Sequence, residues 1–273
     1  MRASTANVAR MSRRALRHAL ANQKGGVGKT ATTLGLASAI SHRGGRALIV
    51  DMDPQANATE GLGVEIADGQ LTTADLMDDR AEAGSAVDAV VATNWDGIDL
   101  VPSHLNLSNA ESSGASDLVF RLDVAFEGLN LDVYDAVLID CPPSLGKLLF
   151  SVLLFADDVW AVTEPTRDSV KGVARLETTI QRVKAKPNPT LELAKVIVSR
   201  RQNKGEHIFR ERELRDAYGE LVARTVIPDL AARQDAHSAE VPIHQFRGGR
   251  ALSLQVAYDD LLNELGITIG APA

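Results

Sequence analysis

A single cysteine, Cys141, stands among 273 residues, so no disulfide can form within the chain. That scarcity fits a reducing compartment. Cys141 follows an acidic residue at the end of an apolar run and is expected as a small packed side chain. Long apolar runs are also missing. The longest, residues 148–156, is too short to span a bilayer. The N-terminus is basic but lacks the apolar core that a signal peptide needs. A cytoplasmic protein is the expectation. No period of 20–50 residues recurs, which excludes a solenoid. Aromatics make up only 4%, which argues against a surface that stacks on single-stranded bases.

What is present is a globular balance of 45% apolar residues, rich in Ala, Val and Leu. The length suffices for one large α/β domain or two small ones. The net charge of −7 is unevenly spread. Residues 1–29 carry seven Lys/Arg and no acid, while residues 167–215 carry thirteen Lys/Arg against six Asp/Glu. Each stretch is therefore +7, which leaves −21 on the rest. Such segregation marks a polyanion-binding surface on an acidic protein, although solvated faces can look the same.

Short β-branched runs alternate with helical patterns. "RALIVD" (46–51), "GIDLVP" (97–102), "DAVLID" (135–140), "DVWAVT" (158–163) and "AKVIVS" (194–199) read as strands. Several are apolar at consecutive positions, as parallel strands covered on both faces require. A first strand is expected from about Ala15. Helices are expected over 29–42, 167–184, 206–218 and 251–265. The alternation predicts a single doubly wound, mostly parallel sheet with helices on both faces. Residues 60–96 are polar and acidic and read as a helical insertion or a mobile loop. Residues 1–14 are expected to be a basic, poorly ordered segment, 15–266 the main domain, and 267–273 a short tail.

"ANQKGGVGKTATT" (21–33) lies between a strand and a helix, the setting of a phosphate-binding loop. Gly25, Gly26 and Gly28 let the backbone curl so that the amides from Gly25 through Val27 to Ala31 face an anion. The helix N-terminus adds partial positive charge. Lys29 would reach the β- and γ-phosphates of ATP, and the Thr30 hydroxyl would bind Mg²⁺. A magnesium ion needs hard oxygen ligands, and Asp140 at the end of an apolar strand suits it, through water. The plainer alternative for Asp51 is a strand-end cap, and for Asp53 a turn before Pro54. Lys24 sits across the glycine turn from Lys29, and both cannot easily serve one phosphate from the same side.

"KGGVGKT" resembles the deviant Walker A motif of the ParA/MinD superfamily. "LIVDMDPQANAT" (48–59) resembles its switch segment, "AVLIDCPPSLG" (136–146) its Walker B strand and, more weakly, "VPSHLNLSNAE" (101–111) a further family stretch. The likeness is greatest to the ParA branch, the partition ATPases of chromosomes and plasmids. That resemblance implies a Mg-dependent P-loop ATPase. Lys29 would hold a subunit's own nucleotide, and Lys24 would reach across a two-fold interface to the partner's. Asp53 would orient the attacking water, and Asp51 would help hold the metal's water shell. The nitrogenase iron protein shares the superfamily but needs two cluster cysteines per subunit, which this chain lacks. In "VIPDLAARQDAHSAEVPIHQF" (226–246), Pro228 and Pro242 resemble the family's nucleotide-base loop, while Asp229 stands where relatives often carry arginine.

At about 100° per residue, the helix over 168–184 gathers Val173, Leu176, Ile180 and Val183 on one face. Lys171, Arg175 and Arg182 share the opposite face, while Arg212 and Arg215 lie on the next helix, mixed with acids. A one-signed stripe suits the backbone of duplex DNA without sequence readout. The resemblance adds a ParB-like partner that stimulates hydrolysis, and a place on the nucleoid. A membrane-positioned ATPase of the MinD kind would want a basic amphipathic C-terminus. "LLNELGITIGAPA" (261–273) has no Lys or Arg, so no membrane contact is expected. A metabolic ligase on the same scaffold is the third alternative.

Overall fold

The computed structural model describes residues 14–112 and 114–270. The expected N-terminal flexible segment, apart from Arg14, lies outside them. Eight strands form one sheet: β1 (Arg17–Ala21), β2 (Ala47–Asp51), β3 (Val91–Ala92), β4 (Ile98–Val101), β5 (Ala136–Asp140), β6 (Asp158–Thr163), β7 (Leu193–Arg201) and β8 (Val222–Pro228). Their order is β3-β4-β2-β5-β1-β6-β7-β8. All pairings are parallel except the two-residue β3, which runs antiparallel to β4 at the edge.

The helices of seven residues or more are α1 (Lys29–His42), α2 (Leu118–Ala125), α3 (Lys147–Phe155), α4 (Ser169–Lys184), α5 (Gly205–Tyr218), α6 (Ala232–Ser238) and α7 (Ala251–Glu264). They divide between the two faces. Along β5, Val137 and Ile139 join a cluster with Leu122, Val152 and Leu176, from α2, α3 and α4. Ala136 and Leu138 join the other cluster, with Leu36 of α1, Ala236 of α6 and Leu261 of α7. Every residue of β2 and β5 is buried, which explains why these strands are apolar without alternation.

The expected elements are present with ends shifted by one or two residues, and β3 and β8 add to them. Two residues leave no readable pattern in β3. In β8 ("VARTVIP") exposed Arg224 and half-buried Thr225 interrupt the apolar run. Residues 60–96 hold helical turns at Thr73–Leu76 and Ala86–Ala89 ahead of β3. They are tied down by buried Leu76, Met77 and Trp95. The chain after α7 returns to the body: Ile267 is buried, and the Gly270 amide donates to Asp135 Oδ1 at 2.8 Å.

Candidate active site

The carboxyl ends of parallel strands are where open α/β sheets hold ligands. Here a cleft of about 760 Å³ opens there, within the size range of small-molecule sites. Its floor is the loop between β1 and α1. Gly28 adopts φ +94° and immediately precedes α1; a Cβ there would run into the Ser199 hydroxyl, so only glycine fits. Gly26 is also left-handed, at φ +73°. This alternation turns successive amides toward one side, the geometry of an anion nest.

Gly25, Gly26, Gly28, Lys29, Thr30 and Ala31 line the cleft. Lys29 is only 6% exposed and makes no ion pair among the described residues. A buried ammonium without a fixed counter-ion is costly, and an anion delivered to the nest removes that cost. Val27 is buried, so its side chain anchors the loop and only its backbone is available to a ligand.

Behind the loop, Asp51 and Asp140 are register partners on neighbouring strands β2 and β5, and both are fully buried. The Thr30 hydroxyl donates to Asp140 Oδ2 at 2.6 Å. Asp51 accepts from the Thr59 amide and hydroxyl at 2.9 and 2.8 Å and from the Asp53 amide at 3.1 Å. Burial pushes the Asp140 carboxyl up to about 8, and the nearby Asp51 charge adds to the rise. Burial likewise raises Asp51 to about 6, against the hydrogen bonds from Thr59. Neither makes an ion pair among the described residues. Two buried carboxylates beside a hydroxyl are a hard-oxygen set that fits Mg²⁺ held through water and phosphate rather than in an all-protein cage. Asp53 lines the cleft and accepts from the Gln55 amide at 3.0 Å; the Ser103 hydroxyl fixes its carbonyl at 2.8 Å.

Lys24 does not join this group. Its Nζ lies 3.4 Å from Thr166 Oγ1 and 4.0 Å from Glu164 Oε2, and its side chain is 53% exposed. It lines a separate depression of about 370 Å³ together with Lys171 and Arg175. Pro228 is also absent from the cleft and borders a different surface groove with Arg201 and Glu264. Lys171, Arg175 and Arg182 are exposed along α4, opposite buried Val173, Leu176, Ile180 and Val183. On α5, Arg212 is exposed, whereas Arg215 is held by Glu211 at 2.9 Å. Cys141 is buried, and burial pushes its thiol far up, as suits a packed residue.

Arg200, Trp95 and Tyr258 line the cleft from outside every quoted motif, and Arg233 and His237, from the 226–246 stretch but not singled out there, line it too. Tyr258 packs on Gly35 and donates to the Ala31 carbonyl at 2.9 Å, tying α7 to the first turn of α1. Asp229 accepts from Gln202 at 2.6 Å and faces Arg200 and Arg233 at 3.5 and 3.9 Å. Partial burial works to raise its pKa but is outweighed by the Gln202 hydrogen bond and the Arg200 charge, so it falls below the ordinary range.

A family model for the AAA domain matches residues 17–193. The chromosome partitioning protein ParA of Caulobacter vibrioides (strain NA1000 / CB15N) is 35% identical over 231 residues, which are 82% of this chain and 85% of that protein. The chain belongs to the ParA family of partition ATPases. Within this family it keeps the P-loop ATPase fold. A Cyanothece McdA variant solved with ATP superposes with a TM-score of 0.81 at 22% identity, over 93% of this chain and 98% of that one. Cobyrinic acid a,c-diamide synthase from Mycobacterium smegmatis, with bound ATP analog and magnesium, superposes at 0.74 and 28% identity, over 95% and 99%. Nucleotide and Mg²⁺ binding by this ParA-family chain is thus supported by its neighbours as well as by its own donor set. No helix among the described residues is long and apolar enough to cross a membrane.

Proposed function

We propose that this ParA-family ATPase hydrolyses Mg·ATP in the cleft, pairs with a second copy over two nucleotides, and binds duplex DNA without sequence preference. Partner-stimulated hydrolysis would then drive chromosome or plasmid partitioning. The observation that carries the reading is the separation of the two lysines. Lys29 is buried at the nest, while Lys24 stands outside it, half exposed, beside Lys171 and Arg175. A lysine so placed is available to a nucleotide held by another subunit.

In each subunit the amides of 25–31 and Lys29 bind the phosphates, and Thr30 with Asp140 and Asp51 positions the metal's oxygen shell. Mg²⁺, when bound, neutralises charge on the β- and γ-phosphates. Asp53 orients the attacking water. Phosphoryl transfer asks the protein for position and charge stabilisation, and a cation supplied in trans is worth about 10³–10⁵ in rate. Lys24 fills that role, which makes hydrolysis depend on dimerisation. ATP bound only by the dimer shifts the monomer–dimer equilibrium by mass action.

The stripe Lys171, Arg175 and Arg182 offers about three phosphate contacts per subunit and about six per dimer. Six contacts imply a loss of about 10³ in affinity over a fourfold rise in salt. The monomer binds much more weakly, so ATP loads the protein onto DNA and hydrolysis releases it. A ParB-like centromere-binding protein is the partner that would stimulate turnover on the nucleoid in the cytoplasm. Pelleting with nonspecific duplex DNA at two salt concentrations, with ATP and with ADP, tests the reading. Retention with ATP alone, lost steeply with salt, is expected. Equal retention with both nucleotides refutes the switch.

A further inference from the structure

Arg200 is not part of any motif, yet its backbone and side chain are both unusual. It lies at the end of β7 and adopts φ +54°, in the left-handed region where a long non-glycine side chain is rarely found. Such strain persists where the surroundings over-determine it, and functional sites are where it collects. Here the conformation turns the guanidinium onto the phosphate loop. NH1 donates to the Gly26 carbonyl, and the aliphatic stem lies against the position a Gly28 Cβ would occupy.

The Gly26 carbonyl and the Val27 N–H belong to one planar trans peptide and point in opposite directions. A donor that holds the carbonyl on one side therefore aims the amide at the other. The Val27 amide donates to no group among the described residues, and its neighbours Gly26 and Gly28 both line the cleft. The guanidinium is in turn held from the loop after β8. Asp229 Oδ1 lies 3.5 Å from Arg200 Nε, while Gln202 and Arg233 fix the same carboxylate. Asp229 is thereby the counter-ion of Arg200.

We infer that Arg200 is a positioning residue for the phosphate loop, that it presets the Val27 amide toward a bound diphosphate, and that Asp229 couples the loop after β8 to that amide through it. The inference rests on the reading of the cleft as a nucleotide site. Arg200 touches the loop rather than the reacting atoms, so its effect falls on phosphate affinity. A charge-assisted hydrogen bond that orders one donor corresponds to about tenfold in affinity.

The test is calorimetric titration of ADP and of inorganic pyrophosphate into the full chain, its Arg200→Ala and Asp229→Ala variants, and the double variant. Thermal midpoints without nucleotide report on folding. Arg200→Lys and Asp229→Asn serve where an alanine variant fails to fold. Each single variant is expected to bind both ligands about tenfold more weakly, with the double variant no weaker than Arg200→Ala, because the two residues act in series. Pyrophosphate separates this role from a contact with the base. A loss confined to ADP overturns the inference, as does Arg200→Ala binding within twofold of wild type, or additive effects in the double variant. Wild-type protein that binds neither ligand overturns the nucleotide reading, and this inference with it.

Discussion

Thr30 and Asp140 meet at 2.6 Å, hydroxyl to Oδ2, joining the first turn of α1 to the end of β5. Thr33, one turn on, reaches the other carboxylate oxygen at 3.4 Å. A fully buried aspartate is thus held by two hydroxyls of one helix, with Lys29 as the nearby positive charge. The arrangement keeps a charge-bearing group dry beside an anion nest, and that has consequences for pH, ligand binding and stability.

The pH dependence follows from burial. Asp140 is raised to about 8 and Asp51 to about 6 in the folded protein, against about 4 in the unfolded chain. Both bind their protons more tightly when folded. Their contribution to stability is full below about pH 4 and is lost as pH rises through 6 and then 8. In EDTA and without nucleotide, the thermal midpoint should fall between pH 5 and 8.5. Asp140→Asn should flatten the upper part of that fall. An unchanged slope in the variant shows that other groups are responsible. Mg·ATP should raise the wild-type midpoint by favouring the ionised carboxylates.

The two lysines should separate binding from assembly. Lys29→Ala should abolish nucleotide binding, as measured by titration with a fluorescent ATP analogue. Lys24→Ala should still bind but lose the ATP-dependent dimer in sedimentation velocity. A full dimer in that variant would remove Lys24 from the trans role.

Asp53 should separate assembly from turnover. Asp53→Ala is expected to dimerise with ATP and to hydrolyse it about 10²-fold more slowly, the usual worth of a positioned acid–base group. Phosphate release at the wild-type rate would strike Asp53 from the catalytic set.

The cleft's back wall offers a stability test. A Cβ on Gly35 would overlap the Tyr258 ring, which is fully buried between α1 and α7. Gly35→Ala should therefore cost about 1–3 kcal/mol by overpacking. Tyr258→Phe keeps the ring and loses only the hydrogen bond to the Ala31 carbonyl, for about 1 kcal/mol. Urea unfolding ranks the two; a milder effect at Gly35 would mean that the ring moves aside freely.

The phosphate loop, its two lysines and the three aspartates were legible in the sequence because each motif is local. A strand end, a glycine turn and a helix start are contiguous, and their chemistry is set by residue type and spacing. Six strands were legible because burial removes alternation. The edges were not. β3 is too short to carry a pattern, and in β8 exposed Arg224 and half-buried Thr225 break the apolar run. Arg215 is a DNA-contact candidate by sequence, on a helix that mixes bases with acids, yet it is held by Glu211 one turn away, a pairing that spacing permits but does not require.

The sequence by itself determined the fold class, the family and the glycine loop that floors the cleft, since these depend on local pattern and burial. Only the tertiary structure decided that Lys24 leaves the cleft for Thr166 and Glu164, that Pro228 borders another groove, and that Arg200, Trp95 and Tyr258 enter. Those placements depend on which strand ends and helices the sheet order brings together. That order is set by pairing between segments distant in the chain, as where His18 of β1 lies beside Asp158 of β6, and no short stretch of the chain records it.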